Sequence, residues 1–164
     1  MKKSISILGS TGSIGITSLN IIKKKKNFFK FNLLSANKNY SLICSQIEQY
    51  KPIYYFINDK QTFIKVKNKN KKKKIKIINY LDPKIIKQKS DITISAIPGI
   101  AGLQPTMLLT KLSKKILIAN KEAVICGWHL IKNIEIKNKT KFIPVDSEHF
   151  SILKLLENHN HNEI

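Results

Sequence analysis

Short apolar runs alternate with helical patterns along almost the whole chain. Ile5-Ser6-Ile7-Leu8 is a compact β-type run that ends in glycines. Ile14 to Lys24 then reads as a helix with Leu19, Ile21 and Ile22 on its apolar side. Phe31 to Ser35 predicts a second strand, Ser41 to Tyr50 a second helix, and Ile53 to Ile57 a third strand. Lys65 to Lys74 is polar and dense in lysine, so it reads as an exposed loop before a strand at Ile75 to Ile78. Asp82-Pro83 supplies an N-cap and first-turn pair for a short helix. Asp91 to Ala96 and Lys115 to Ala119 are further strands, separated by a helical stretch starting near Gly102. Phe142 to Val145 is one more strand, running into a helix from Asp146 onwards. Strands alternating with helices of this length imply βαβ units, right-handed crossovers and a parallel sheet, hence an α/β fold. Near-continuous apolar strands agree, since a parallel sheet is covered on both faces.

At 164 residues there is room for one domain and the start of another, and 42% hydrophobic residues suffice for a core. Thirty basic residues against 10 acidic give a net charge of +20, which raises the question of nucleic acid or an anionic membrane. Every basic residue is Lys; Arg, the side chain whose planar fork reads base edges and clamps phosphates, is absent. A single-strand binder would also interleave aromatics with its lysines. Lys71 to Lys74 contains none, and the nearest, Phe63 and Tyr80, lie outside it. The charge is therefore read as a solvated surface, with no nucleic-acid partner. Cys44 and Cys126 stand far apart in apolar surroundings, as small buried hydrophobes in a reducing compartment. No apolar run approaches the ~18 residues of a membrane span. The first strand begins by Ser4, leaving no space for a targeting peptide, so the expected location is cytoplasmic.

Gly9-Ser10-Thr11-Gly12-Ser13-Ile14-Gly15 follows the first strand directly and opens the first helix. Glycines let the backbone turn sharply and approach a ligand, while the helix N-terminus offers free N–H groups to a pyrophosphate. The spacing is a variant of the dinucleotide fingerprint, and it points to a Rossmann-like doubly wound parallel sheet. An NAD site places a carboxylate at the end of the second strand. Here that place reads Ser35-Ala36-Asn37-Lys38-Asn39, with no acid, and Lys38 would attract the 2′-phosphate of NADP. The other reading of Lys38 is one more surface lysine.

Three further segments carry a more specific resemblance. Ala96-Ile97-Pro98-Gly99-Ile100-Ala101-Gly102-Leu103 runs on to Gln104-Pro105-Thr106, Leu117-Ile118-Ala119-Asn120-Lys121-Glu122 ends a strand, and Pro144-Val145-Asp146-Ser147-Glu148-His149 ends another. With the opening glycine turn, their order and spacing closely resemble the 1-deoxy-D-xylulose 5-phosphate reductoisomerases of non-mevalonate isoprenoid biosynthesis. The resemblance implies an NADPH-binding domain over residues 1–138, and over 139–164 the beginning of an α+β catalytic domain that binds metal. It implies reduction and rearrangement of 1-deoxy-D-xylulose 5-phosphate, a small sugar phosphate, to 2-C-methyl-D-erythritol 4-phosphate, with NADPH and a divalent Mg or Mn ion. By the same resemblance Thr11, Gly12, Ser13 and Ile14 meet the cofactor phosphates, and Lys38 and Asn39 the adenosine end. Asn120 and Glu122 lie on the nicotinamide side and Lys121 contacts substrate. Asp146 and Glu148 bind the metal, with Ser147 and Glu148 also touching substrate; Lys121 and Glu148 are the expected catalytic pair.

The residues themselves allow two readings of Asp146-Ser147-Glu148. Two carboxylates at i and i+2, where a strand meets a helix, can aim oxygens at one hard cation. The same pattern is also a helix N-cap with its first-turn acid. His149 reads as a neighbour of the metal or a surface residue, Trp128 as core, and His159 and His161 receive no role. Asn37 stands where the family usually has glycine, and Pro98 replaces an aliphatic residue and removes a backbone donor. By the same resemblance, the family's third metal carboxylate, substrate-phosphate pocket and homodimer surface are expected downstream of these segments. A second reading follows: a non-catalytic nucleotide-binding module that works through a partner chain.

Overall fold

The computed structural model describes residues 1–156. Seven strands form one sheet: β1 (Lys3–Leu8), β2 (Phe29–Ala36), β3 (Tyr54–Ile57), β4 (Lys76–Ile78), β5 (Ser90–Ser95), β6 (Ser113–Ile118) and β7 (Lys141–Pro144). Their spatial order is β4-β3-β2-β1-β5-β6-β7, and every pairing is parallel. The helices are α1 (Ser13–Lys24), α2 (Tyr40–Tyr50), α3 (Lys60–Lys69), α4 (Leu103–Thr110), α5 (Lys121–Asn138) and α6 (Ser147–Leu156). A single 3₁₀ turn, Ile100–Gly102, leads into α4. The strand order reverses between β1 and β5, which makes the sheet doubly wound and opens a crevice at the carboxyl ends of those strands.

Side-chain alternation along the strands distributes the core over both faces of the sheet, in three clusters. Leu34, Ala36, Tyr55 and Ile57 join Leu19 and Ile22 of α1, Ile43 and Ile47 of α2, and Val66 of α3 on one face. Leu33 and Tyr54, one residue out of phase, pack on the other face with Leu109 of α4 and with Ile86, which lies between β4 and β5. Ile116 and Ile118 of β6 carry Ile131 of α5 on a third cluster. Both faces are covered, which is why the strands read as continuous apolar runs.

Several expectations are corrected. The first half of the lysine-rich stretch, Lys65 to Lys69, is helix, while Lys71 to Lys74 are exposed loop as expected. Asp59 caps α3 by accepting from the Thr62 backbone N–H (2.9 Å) and hydroxyl (2.7 Å). Thr62 and Val66, four residues apart, bury its inner face, and only residues 70–75 form the loop. Asp82-Pro83 opens a turn rather than a helix, with the Asp82 carboxylate accepting from Lys84 N–H and its carbonyl from Ile85 and Ile86. Ile21 is exposed, the buried face of α1 being Gly15, Leu19 and Ile22. On α5 the buried face is Ala123, Gly127 and Ile131, at four-residue steps. Cys126 and Trp128 flank that face and are exposed, the indole carrying the Lys132 ammonium 5.7 Å from its ring. Cys44 is half-buried against the first core cluster. Among the described residues no helix is long and apolar enough to cross a membrane. His159 and His161 lie outside the described residues.

Candidate functional site

The glycine turn joins β1 to α1 at the reversal point of the sheet. Gly9 adopts φ +79°, a left-handed conformation that favours glycine, and a Cβ there would sit 2.5 Å from the carbonyl oxygen of Ala96, just past the end of the neighbouring β5. A Cβ on Gly15 would lie 2.2 Å from the Gly9 carbonyl oxygen, so α1 packs directly on the turn. Gly12 differs: it occupies the N-cap of α1 in an extended conformation, and its Cβ would meet only the Gly9 oxygen, at an ordinary 3.5 Å. The N-cap makes no side-chain bond to the first turn of the helix and that turn holds no acid, an arrangement open to an anion.

A cavity of about 680 Å³ opens beside the turn, in the range of small-molecule sites. Gly9, Thr11 and Gly12 line one side; Asn37 and Asn58 line it at the ends of β2 and β3, and Asn79, Tyr80 and Leu81 beyond β4. Ile97, Pro98, Ala101, Gln104 and Pro105 close the opposite wall. Its lining includes no carboxylate, which suits a cofactor with an extra phosphate. Of the expected cofactor residues, Thr11 and Gly12 face the cavity, while Ser13 and Ile14 are exposed in the first turn of α1. Lys38 is exposed, and its charge helps hold the Asp59 carboxyl below its ordinary pKa, after the two hydrogen bonds from Thr62. Asn39 caps α2, accepting from Leu42 N–H at 3.1 Å. Sequence reasoning missed the wall at Asn58, Asn79, Tyr80 and Gln104; the rule that ligands meet the carboxyl ends of parallel strands would have found the first three.

Asn120, expected beside the nicotinamide, is buried and fully engaged. Its oxygen caps α5 by accepting from Ala123 N–H (2.9 Å), while its amide donates to the carbonyls of Gly99 (2.7 Å) and Ile97. It thus fastens the cavity wall to the start of α5. A Cβ on Gly102 would press within 2.3 Å of that amide, so glycine is needed there for close packing. Lys121 and Glu122 follow on the exposed first turn of α5.

The ends of β6 and β7 bring Lys121 and Glu148 together, Nζ to Oε1 at 3.2 Å. The Glu148 carboxyl is held down at about 2 by its own backbone N–H, the Ser147 hydroxyl and Lys121, and the same pairing raises the pKa of Lys121. Asp146 Oδ1 accepts from the backbone N–H (2.9 Å) and Nδ1 (2.7 Å) of His149. Burial pushes the Asp146 carboxyl up, yet these hydrogen bonds outweigh it and its pKa lies below the ordinary value. Its second oxygen, Oδ2, is buried without a hydrogen-bond partner. An orphaned carboxylate oxygen next to an exposed, ionised glutamate fits a hard cation. The N-cap reading of this segment is seen directly in the bond from His149 N–H to Oδ1, and it leaves Oδ2 unused. No group of three or more His, Cys, Asp or Glu residues converges on a metal-sized site among the described residues.

Residues 5–127 match the family model for 1-deoxy-D-xylulose 5-phosphate reductoisomerase. The enzyme of that name from Pelagibacter ubique (strain HTCC1062) is 44% identical over 164 residues, covering 98% of this chain and 42% of the relative. The reductoisomerase from Zymomonas mobilis, solved in complex with NADPH, has the same fold: TM-score 0.84 at 24% identity, covering 99% of this chain and 42% of that one. A DOX-P reductoisomerase solved with NADPH, fosmidomycin and magnesium gives a TM-score of 0.81 at 27% identity, over 90% of this chain and 37% of that one. The chain therefore spans about two fifths of the length of these relatives.

Proposed function

The chain belongs to the 1-deoxy-D-xylulose 5-phosphate reductoisomerase family, and from that membership we propose that it provides the NADPH-binding part of such an enzyme. The reaction is conversion of 1-deoxy-D-xylulose 5-phosphate to 2-C-methyl-D-erythritol 4-phosphate, with a divalent Mg or Mn ion. Residues 1–138 are assigned to the nucleotide domain and 139–164 to the start of the catalytic part, although β7 completes the same parallel sheet. The observation that carries the reading is the glycine turn at the reversal point of the sheet, opening on a cavity whose lining has no carboxylate.

Thr11, Gly12, Ser13 and Ile14 take the cofactor phosphates on the N-terminus of α1. Lys38, with Asn39 beside it, faces the 2′-phosphate side. Asn120 shapes the nicotinamide wall through the carbonyls of Ile97 and Gly99 rather than by touching the ring, and Glu122 stands at its edge. Lys121 binds substrate; Asp146 and Glu148 hold the cation, with Ser147 and Glu148 also on the substrate side. When bound, NADPH supplies the hydride and the cation supplies a Lewis acid for the substrate carbonyl. Two carboxylates and one lysine account for part of the reaction site, so these residues explain binding and orientation and not the whole reaction. Two free cysteines support placement in a reducing cytoplasm.

The test is a fluorescence titration of the chain with NADPH and separately with NADH at fixed salt. Saturable binding with NADPH preferred by tenfold or more is expected, and Lys38→Ala should narrow that preference. Equal affinities, or no binding of either by a folded sample, would refute the reading.

A further inference from the structure

The glycine turn rests on a buried polar cluster that no cofactor contact explains. Ser10 is its one fully buried residue apart from the closing Gly15, at 0% exposure. Below it lie Gln46 of α2 and Tyr55 of β3, both buried among Ile43, Ile47 and Ile57. Burying an amide and a phenol there costs several hydrogen bonds to water unless each is replaced. Each is replaced, and the replacements converge on Ser10. Gln46 Nε2 donates to the Ser10 carbonyl (2.8 Å), while Gln46 Oε1 accepts from Ser10 Oγ (2.6 Å) and Tyr55 Oη (2.7 Å). An apolar pair would fill the same space without this requirement.

The direction of these bonds matters. A peptide unit is planar and trans, so its C=O and N–H point opposite ways. The bond that draws the Ser10 carbonyl down toward Gln46 therefore turns the N–H of Thr11 up, away from the core. Ser10 N–H is fixed in turn by the Ser35 carbonyl (2.7 Å), and Gly9 N–H by Ser35 Oγ (2.9 Å).

We propose that Gln46 and Tyr55 are positioning residues for the cofactor: they set the peptide plane between Ser10 and Thr11 and so aim the phosphate turn at the pyrophosphate. This rests on the reading of the turn as the NADPH site. Two variants test it, Tyr55→Phe and Gln46→Leu, each followed by three readouts in the full chain. These are the melting temperature, amide hydrogen exchange at Thr11 and Gly12 without ligand, and the Kd for NADPH well below melting. Tyr55→Phe should weaken NADPH binding about fivefold, as expected for one lost buried hydrogen bond, and Gln46→Leu should weaken it further. Both should speed exchange at Thr11 and Gly12. A lower melting temperature with unchanged exchange and unchanged Kd would reduce the cluster to a structural filler and overturn the proposal. If the parent chain binds no NADPH, the cofactor reading falls. The exchange data then still decide whether the cluster holds the turn.

Discussion

At the scale of single residues, the three glycines of the turn carry different obligations, and substitution separates them. Gly9 and Gly15 answer to the fold, the first by its positive φ and contact with Ala96, the second by its contact with Gly9. Alanine at either should cost about 2–4 kcal/mol through strain and overlap. Gly12 has room for a Cβ, so Gly12→Ala should cost no more than about 1 kcal/mol, the difference between glycine and alanine at an N-cap. It should nevertheless weaken NADPH at least tenfold, because a methyl group would stand where a phosphate must approach the backbone. Thermal denaturation and cofactor titration of the three variants check this; a Gly12→Ala chain that binds like the parent would remove the ligand-based reason for glycine there. The spacing of these glycines was plain in the sequence, but their division of labour was not. It depends on the oxygen of Ala96, the residue that follows β5, which reaches Gly9. Asn120 teaches the same lesson, since the carbonyls that claim its amide belong to a loop 21 and 23 residues earlier.

At the scale of elements, strands were legible because a sheet covered on both faces leaves unbroken apolar runs, and errors there were confined to ends. Helices fared less evenly. The buried face of α3 is little more than Thr62 and Val66, so its lysines drown a helical period that the Asp59 cap would have signalled. Trp128, which follows Gly127 on its helix, was read as core, yet the 100° step from Gly127 turns it to solvent. What ties the elements together at the amino end of the sheet is also a side-chain matter. Asp91 of β5 accepts from Ser4 N–H of β1 (2.8 Å) and from Lys114 of β6 (2.7 Å). The bond from Lys114, then that from Ser4, holds its carboxyl at about 2, below the ordinary 3.8. A carboxyl depressed in the folded state stabilises the fold above its unfolded pKa and loses that contribution as pH falls toward its folded value. Asp91→Asn should therefore melt below the parent at neutral pH, with the gap closing between about pH 4 and pH 2. Melting curves across that window check it; a gap independent of pH would mean that packing, not charge, makes the difference.

At the scale of the whole molecule, two features pull in opposite directions. A net charge of +20 keeps copies apart, because like-charged chains repel over a distance set by ionic strength. Against this, α6 has no buried residue, and Phe150, Ile152 and Leu155 stand exposed on it beside Val145 at the end of β7. Apolar surface of this kind associates when it is allowed to meet. The balance gives a sign that can be measured. At roughly 0.05 M salt the charge should dominate and the chain should sediment as a monomer; at roughly 0.5 M, where the Debye length shrinks to a few ångströms, association should appear. Association through ionic contacts would respond the other way, weakening as salt rises. Ile152→Lys together with Leu155→Lys should abolish the salt-induced species, since the two sit three residues apart on one helical face. The pair should leave NADPH affinity unchanged, because α6 contributes nothing to the cavity lining. Sedimentation velocity at both salt concentrations decides the matter: association that persists in the double variant would move the sticky surface elsewhere, with exposed Ile125 and Ile136 of α5 the next to alter.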